Sequence, residues 1–586
     1  MKVNSIKYPG VGKPVNIPKS NLGVIHLKGT PYQVGLQYGK AFSKDLVNFN
    51  DSLKNMFAET AGRFISKIVY HIALPFYALL QWCRIPRPLR KEIKGIAKGA
   101  EGLHRYNVIR LMKMIRLSAL YDFMVNFALA GFSCSSFAKK DEAGNLLIGR
   151  NFDMIYDSSG TLDHSQLILY EIEGQQSFIS AGPVFFNLAP TTAIIKGENG
   201  EPLFFGINNV TGPRKLFGKP TVTLLREMAN QPSYQGILDL LKRSKETCAK
   251  KFLISDGTDA AMAEVVPGEM TVVREIKEGE NNVVATNNYQ TEKSKKFESK
   301  TELVHALNLN SWIRYRRIKR LLKEALASSG EPHELAIRIL SDYFDLARNM
   351  EQTWGDNISP PYKNSEAYIS QTYVSALLDY KNNLFWLGYG PFSAHGDFYG
   401  FDVNNLWKWV KSKGKEDLAF EIYEQTLDKE KLELGRTLTQ ELNAGKSYYK
   451  KDNLITATIH LRNVLKIDPG HIEAKLLLGA IKLEYFDLAG HGSGNISDDL
   501  REVIDIEDYY GVEPKFRRGS AFAYLLLGMY YDLQRKREKA LENYKKVLNF
   551  EKENALWSEA SEWASKFKNK PCKNVPSHKK MVELLL

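Results

Sequence analysis

The sequence predicts an α+β sandwich followed by an all-α helical-repeat domain, and three changes of texture along its 586 residues predict it. Residues 1 to about 132 read as a short strand and then helices, with apolar residues three and four apart over Leu46–Phe57 and Leu89–Val108. From Ser133 to about Phe401 short β-rich runs alternate with turn signals, as in Gln166–Gly174, Ser177–Gly182 and Glu264–Arg274. Two helical patches interrupt them, Val222–Met228 with Ser233–Lys242, and Trp312–Leu326 with Glu334–Leu346. Sheets with intervening helices make an α+β sandwich. After Asn405 the chain turns charged and helical, with 404–435 read as a helical linker and 436–586 as repeats.

The repeat is carried by spacing. Tyr448, Ala457, Leu461 and Val464 follow Gly445 at the same offsets at which Tyr531, Ala540, Tyr544 and Val547 follow Gly528. These are the offsets of the tetratricopeptide helix-turn-helix unit, and a third copy opening at Leu478-Gly479 is broken by Gly490–Gly494. Such a solenoid binds partners rather than catalysing reactions, so a protein partner is expected there; the plainer reading is a helical bundle with coincident spacing.

Composition narrows the classes. At 66.6 kDa the chain exceeds what one hydrophobic core usually supports. Its 44% hydrophobic and 25% charged residues are ordinary for a globular protein. A net charge of +13 favours acidic partners or anionic membrane surfaces, or simply marks a basic surface. No basic stripe with interleaved aromatics matches a nucleic-acid motif, so no nucleic-acid partner is expected. Cys83, Cys134, Cys248 and Cys572 show neither a CxxC pair nor metal spacing, and no cofactor or metal is expected. Scattered cysteines and a Met1–Lys7 start without an apolar signal core give the expectation of a cytoplasmic protein. The apolar segment Phe64–Cys83 is interrupted by Lys67, His71 and Pro75, so it reads as a buried or partly exposed helix, with an interfacial helix making peripheral membrane contact as the alternative.

The chemistry centres on Gly131-Phe-Ser-Cys-Ser-Ser-Phe137 and Asn145-Leu-Leu-Ile-Gly-Arg-Asn-Phe-Asp153, two apolar runs separated by the hairpin-like Lys139–Asn145. Pairing them antiparallel brings Arg150 and Asp153 back beside Cys134, and a nearby cation lowers a thiol's pKa. Other nucleophile machinery is missing: there is no Gly-x-Ser-x-Gly elbow, His-Glu-x-x-His or Walker loop. A papain-like partner such as His395 lacks the matching cysteine context.

This arrangement resembles the N-terminal-nucleophile cysteine hydrolases, most closely the acyl-coenzyme A:6-aminopenicillanic acid acyltransferase family (peptidase family C45), with choloylglycine hydrolase, penicillin V acylase and acid ceramidase more distant. The resemblance runs in order through Gly29–Gly39, where Tyr38 replaces the expected His, Phe205–Asn209, Phe252–Gly257 with Glu264, and Ala285–Asn288, where Asn288 replaces a His. It continues through Ser311–Arg316, Ser370–Ser375 and Leu384–Gly390, covering roughly residues 20 to 400.

The resemblance implies a four-layer α-β-β-α fold with two antiparallel sheets. It divides the domain into a pro-segment part, 1–133, and a nucleophile-bearing part, 134–403, by a self-inflicted cut at Ser133–Cys134. Cys134 then supplies both the thiol nucleophile and an α-amine base, while Cys83, Cys248 and Cys572 are read as ordinary buried thiols. Arg150 is expected to stabilise the thiolate and Asp153 to hold the α-amine. Asn287, with Asn208 as second candidate and Asn209 left open, is expected to donate to the oxyanion, and Arg314 to support the site. Asp256 and Glu264 are read as hairpin residues. The expected substrate is a small-molecule amide, with an acyl-thioester co-substrate compatible with the family; Phe64–Cys83 and Phe185-Phe186 lean toward an acyl or aromatic group. The competing readings are an inactive platform whose repeats recruit a protein, and a membrane-associated lipid-amide hydrolase.

Overall fold

The computed structural model describes residues 2–18, 20, 22–51, 53, 68–126, 134–155, 165–183, 189–198, 200–215, 218–277, 279–298, 311, 314–315, 318–319, 321–323, 331–341, 370–388, 397–424, 429–489, 496–509, 518–553 and 558–585. Ser133, Phe185-Phe186, Trp312, Arg316, His395 and Gly490–Gly494, all singled out in the sequence, lie outside them. The chain forms two units, one within residues 2–424 and one within 429–585.

In the first unit the early strands are β1 (Lys2–Ile6), β2 (Val15–Asn16), β3 (Gly23–Gly29), β4 (Ser135–Lys140), β5 (Leu146–Ile155), β6 (Ser165–Ile172), β7 (Phe178–Pro183) and β8 (Thr192–Lys196). The later ones are β9 (Pro202–Arg214), β10 (Cys248–Ser255), β11 (Ala260–Val266), β12 (Met270–Glu275), β13 (Asn282–Ala285), β14 (Ser370–Asp379), β15 (Leu384–Gly388), β16 (Phe398–Asp402) and β17 (Leu418–Tyr423). They assemble as an eight-stranded sheet, β1-β17-β16-β15-β14-β5-β4-β13, and a nine-stranded sheet, β12-β11-β10-β9-β8-β7-β6-β3-β2. Every pairing is antiparallel except β3 on β6.

The main helices of this unit include α1 (Pro31–Ala41), α2 (Leu74–Trp82), α3 (Arg87–Gly99), α4 (Asn107–Asn126), α5 (Thr221–Met228), α6 (Tyr234–Arg243), α7 (Pro332–Leu340) and α8 (Val403–Ser412). α7 and α8 cover the eight-stranded sheet, α1 and α6 the nine-stranded one, and β4 and β14 face β9 and β7 across the middle. This is the expected four-layer α-β-β-α sandwich. Covering on both faces explains why β10 and β11 are buried along their whole length, whereas the edge strand β12 is only half-buried.

Thr30 starts α1 with a capping box closed by Gln33, and Pro31 occupies the first turn, where a missing N–H is tolerated. α1 and α3 then meet through four glycines. A Cβ built at Gly35 or Gly39 would stand 2.0 or 2.2 Å from the carbonyl oxygens of Glu92 or Ile96. One at Gly95 or Gly99 would stand 2.2 or 2.4 Å from those of Tyr32 or Leu36. Tyr38, in place of the expected His, is a buried ring set edge-on to Phe42 at 5.0 Å. The Leu89–Val108 pattern is two helices, because the backbone breaks between α3 and α4. Pro75 is accommodated by a π-turn over Val69–Ala73 directly before α2. Among the described residues no helix is long and apolar enough to cross a membrane.

The stretch read as a helical linker, 404–435, differs from that reading. It completes α8 and then supplies β17, which pairs with both β1 and β16. Its partner β1 lies some four hundred residues away in sequence, beyond the reach of local pattern. Cys83 also departs from expectation: its thiol is exposed, whereas Cys248 and Cys572 are buried.

The second unit is all-α: α9 (Lys429–Lys450), α10 (Leu454–Ile467), α11 (Ile472–Ala489), α12 (Ile496–Tyr509), α13 (Arg518–Leu533), α14 (Arg537–Glu553), α15 (Ser558–Asn569) and α16 (His578–Leu585). The repeat offsets are packing contacts. Gly445 on α9 faces Leu461 on α10, and Gly528 on α13 faces Tyr544 on α14, with room for no Cβ at Gly528.

Gly→Ala in a helix interior normally gains about 1 kcal/mol of helix propensity. Between α1 and α3 the added methyl would strike backbone, so Gly39→Ala or Gly95→Ala is expected to destabilise by roughly 1–3 kcal/mol. Thermal unfolding beside wild type checks this, and an unchanged or raised midpoint would contradict it.

Candidate active site

The β4–β5 hairpin builds the centre. Ser135 pairs with Asn151 and Ser136 with Arg150, so Cys134, at the mouth of β4, comes level with the far end of β5. Its side chain is fully buried, and the thiol sulfur lies 4.0 Å from the carbonyl oxygen of Asp153. Cys134, Arg150 and Asp153 are therefore brought together as the hairpin reading expects.

Arg150 is no surface residue; its stem crosses Gly206, where a Cβ would lie 2.3 Å from Cδ. That close approach requires the glycine of Phe205-Gly-Ile-Asn-Asn209. The guanidinium donates to the Thr192 hydroxyl (2.6 Å) and to the carbonyl of Ile207, so it acts on Cys134 through its field rather than by contact. Arg314 makes the contacts. Its Nη1 donates to the carbonyl of Cys134 (2.7 Å) and to the Ser135 hydroxyl (2.8 Å), and its Nη2 to Asn287 Oδ1 (2.9 Å). Asn287 in turn donates to the carbonyl of Asn209 (2.9 Å).

The two candidate asparagines of β9 separate here. Asn208 donates to the Ala285 carbonyl (3.1 Å) and accepts from the Ser136 hydroxyl (2.8 Å), which locks it between the sheets. Asn209 accepts at Oδ1 from the Tyr121 hydroxyl of α4, while its buried Nδ2 donates to nothing among the described residues. The amide free to donate is thus Asn209, and Tyr121 fixes its orientation. Sequence gave no signal for Tyr121, which sits in an apolar helix like any core aromatic.

Burial dominates the electrostatics. It pushes the Cys134 thiol above its usual range; Arg150 opposes this, Asp153 adds to it, and Arg314 opposes it more weakly. Burial drives the Asp153 carboxyl up to about 7, with the Thr372 hydroxyl, Arg314 and Arg150 keeping it from rising further. Neither Asp153 oxygen makes a well-formed hydrogen bond among the described residues. Burial lowers Arg314 to about 10 and lowers Arg150 as well.

The surrounding loops are pinned. Asp256 accepts from the amides of Thr258 (3.0 Å) and Asp259 (2.8 Å), as a hairpin residue does. Glu264 does more than the hairpin reading allows. It accepts from the amides of Gln290 (2.6 Å) and Thr291 (3.2 Å) and pairs with buried Lys251 at 3.5 Å, fixing the chain that follows Asn287. Asn288, in place of a His, accepts from the hydroxyls of Thr286 (3.0 Å) and Ser311 (2.5 Å), a structural role met by an amide. No metal-binding group of His, Cys, Asp and Glu occurs among the described residues.

A family model described as "Acyl-coenzyme A:6-aminopenicillanic acid acyl-transferase" matches residues 139–369. None of the curated proteins matches the chain. Among solved structures, an N-acylethanolamine-hydrolyzing acid amidase ortholog of Caenorhabditis elegans is 15% identical, over 42% of this chain and 92% of that one, with a TM-score of 0.29. Two variants of the conjugated bile acid hydrolase of Clostridium perfringens are each 13% identical over 50% of this chain and 97% or 98% of theirs, with TM-scores of 0.31 and 0.30. Scores this low lend no weight to an assignment, which rests on the sequence match. Over residues 139–369 the chain is similar to the acyl-coenzyme A:6-aminopenicillanic acid acyl-transferase family.

Proposed function

We propose that this protein is a self-processing cysteine amidohydrolase or acyltransferase acting on small linear amides through a Cys134 thioester. The observation that carries the reading is the buried Asp153 carboxyl, without a well-formed partner among the described residues, beside a buried Cys134 flanked by Arg150 and Arg314. In the uncut chain the thiol is protonated at neutral pH, because burial raises its pKa. Attack of the sulfur on the preceding carbonyl forms a thioester as the C–N bond breaks, and the nitrogen takes the proton. Water then releases the thioester and leaves a free α-amine on Cys134. An α-amine has a reference pKa of about 7.7–8.0, so it can take the thiol proton in each later turnover. Asp153 supplies the carboxylate that holds this amine.

In turnover Cys134 attacks the substrate amide, the α-amine hands its proton to the leaving amine, and water or a second amine resolves the thioester. Arg150 and Arg314 offset negative charge on sulfur and oxygen. The free Nδ2 of Asn209, aimed by Tyr121, donates to the oxyanion together with Asn287, whose own amide keeps one hydrogen beyond that given to Asn209. Asn208 serves as a strut between the sheets. For the second unit, the matched contacts Gly445–Leu461 and Gly528–Tyr544 support tetratricopeptide-type hairpins presenting a protein-binding surface.

Intact mass and N-terminal sequencing of wild type beside Cys134→Ala test the class. A new N-terminus at Cys134 in wild type alone is expected; a single uncut chain in both would move the inactive-platform reading to the front. Asn209→Ala is expected to lower kcat by on the order of 10²–10³-fold, the usual effect of removing an oxyanion donor. Tyr121→Phe should lower kcat by roughly tenfold with little change in KM, since it frees the amide to rotate without removing it. The expected loss in Asn209→Ala beside a wild-type-like Tyr121→Phe would leave the donor assigned and the positioning role refuted.

Asp153 also sets a pH signature. Its folded pKa of about 7 lies above the unfolded value of about 3.9, so the native state holds the extra proton between them. Stability is therefore lost as pH rises from about 4 to about 7 and stays lost above. In an uncut Cys134→Ala background, adding Asp153→Asn should raise stability by on the order of 1–3 kcal/mol near pH 8 and much less near pH 4. Parallel pH dependences of thermal unfolding in the two proteins would overturn this account of Asp153.

A further inference from the structure

The π-turn and α2 present an apolar strip to solvent. Ile68, Ile72, Phe76 and Leu79, spaced four, four and three residues apart, are 43%, 64%, 65% and 57% exposed. The opposite face, with Tyr70, Leu74 and Tyr77, is buried. The next helix in this layer does the same at its start, where Val108 is 70% and Met112 55% exposed. α2 and α4 are neighbours: the Arg116 guanidinium lies 4.7 Å over the Tyr70 ring, and Tyr77 stands edge-on to Phe123 at 5.7 Å. A surface helix ordinarily turns polar residues outward. Here the outward face is the apolar one.

From the π-turn to the start of α3 the charged residues along the chain have one sign. No acidic residue occurs from Ile68 to Lys91, and Glu92, the first to follow, is buried and paired with Arg226 at 2.6 Å. Arg84, Arg87, Lys91, Lys94 and Lys98 are all exposed. An apolar ridge that can sink a few ångströms, followed directly in the chain by exposed cations, fits the interface of an anionic bilayer. The absence of a crossing helix among the described residues agrees with a helix lying on the surface.

We propose that the outer face of α2, with the start of α4, docks this protein on anionic lipid membranes. Phe76 and Leu79 enter the acyl boundary, and Arg84, Arg87 and Lys91 meet headgroup phosphates. The proposal stands apart from the chemistry at Cys134. It does bear on supply of substrate: α4 runs from exposed Met112 to Tyr121 at the site, nine residues, or about 14 Å of helix.

Flotation of the full chain with phosphatidylcholine vesicles, with and without phosphatidylserine, at low and high salt, tests it. Wild type should float with the phosphatidylserine vesicles and do so less at high salt. Phe76→Ser/Leu79→Ser should bind roughly tenfold or more weakly, because two exposed apolar groups no longer leave water. Arg87→Glu/Lys91→Glu should lose the preference for phosphatidylserine. Both variants alter exposed side chains, and circular dichroism verifies their folds. Wild type that stays unbound at low salt would overturn the proposal. So would an apolar variant that floats as well as wild type, or self-association in light scattering that this variant abolishes, which would make the strip an interface between copies.

Discussion

One guanidinium holds the candidate site together. Arg314 donates at once to the carbonyl of Cys134, the hydroxyl of Ser135 and the amide oxygen of Asn287. These groups belong to the start of β4 and the chain after β13, two segments about 150 residues apart in sequence that adjoin in the sheet. A planar fork of donors suits this task, since it fixes angle as well as distance. From Asn287 the order passes to Asn209 and on to Tyr121, so one hydrogen-bonded chain runs from Cys134 to α4. A lysine could supply the charge but not the simultaneous geometry.

The same centre is electrostatically unfinished. Two buried guanidiniums face one carboxyl that is half-protonated near neutrality and a thiol that burial keeps protonated. Burying uncompensated charge is expensive, and a structure carries it only where packing elsewhere supplies the stability. Here the double sheet, with strands such as β10 and β11 buried end to end, supplies it. What would complete the balance is negative charge at the sulfur and at a carbonyl oxygen, the charge that develops during acyl transfer.

How much of this was legible depended on the range of the interaction concerned. The grouping of Cys134, Arg150 and Asp153 was legible because a tight hairpin converts sequence offset directly into register. Asn208 against Asn209 was not, because successive strand residues face opposite sides and a one-residue ambiguity exchanges the partners. The structure settles their partners: Asn208 meets β4 and β13, and Asn209 meets α4. The 404–435 stretch misled for the opposite reason. Its short alternating run Leu418–Tyr423 acquires its role only from β1 and β16, and helical neighbours on both sides masked it. Glu264 looked like hairpin furniture because the amides it accepts from lie some twenty-six residues downstream.

The residues before Cys134 are part of the sandwich rather than an appendage to it. β3 lies inside the nine-stranded sheet between β6 and β2, and β1 closes an edge of the other sheet against β17. Asp122 of α4 accepts from the amide of Thr221 (2.8 Å) and the hydroxyl of Thr247 (2.7 Å). Glu92 of α3 is buried against Arg226 of α5, whose guanidinium lies 5.1 Å from Tyr170 and 5.0 Å from Phe178. A break in the chain just before Cys134 would sever one covalent bond and none of these contacts. The two pieces would stay paired through a shared core, and Tyr121 would remain against Asn209. Any hydrolysis or acyl transfer at a liberated Cys134 would therefore draw on residues from both sides of the break.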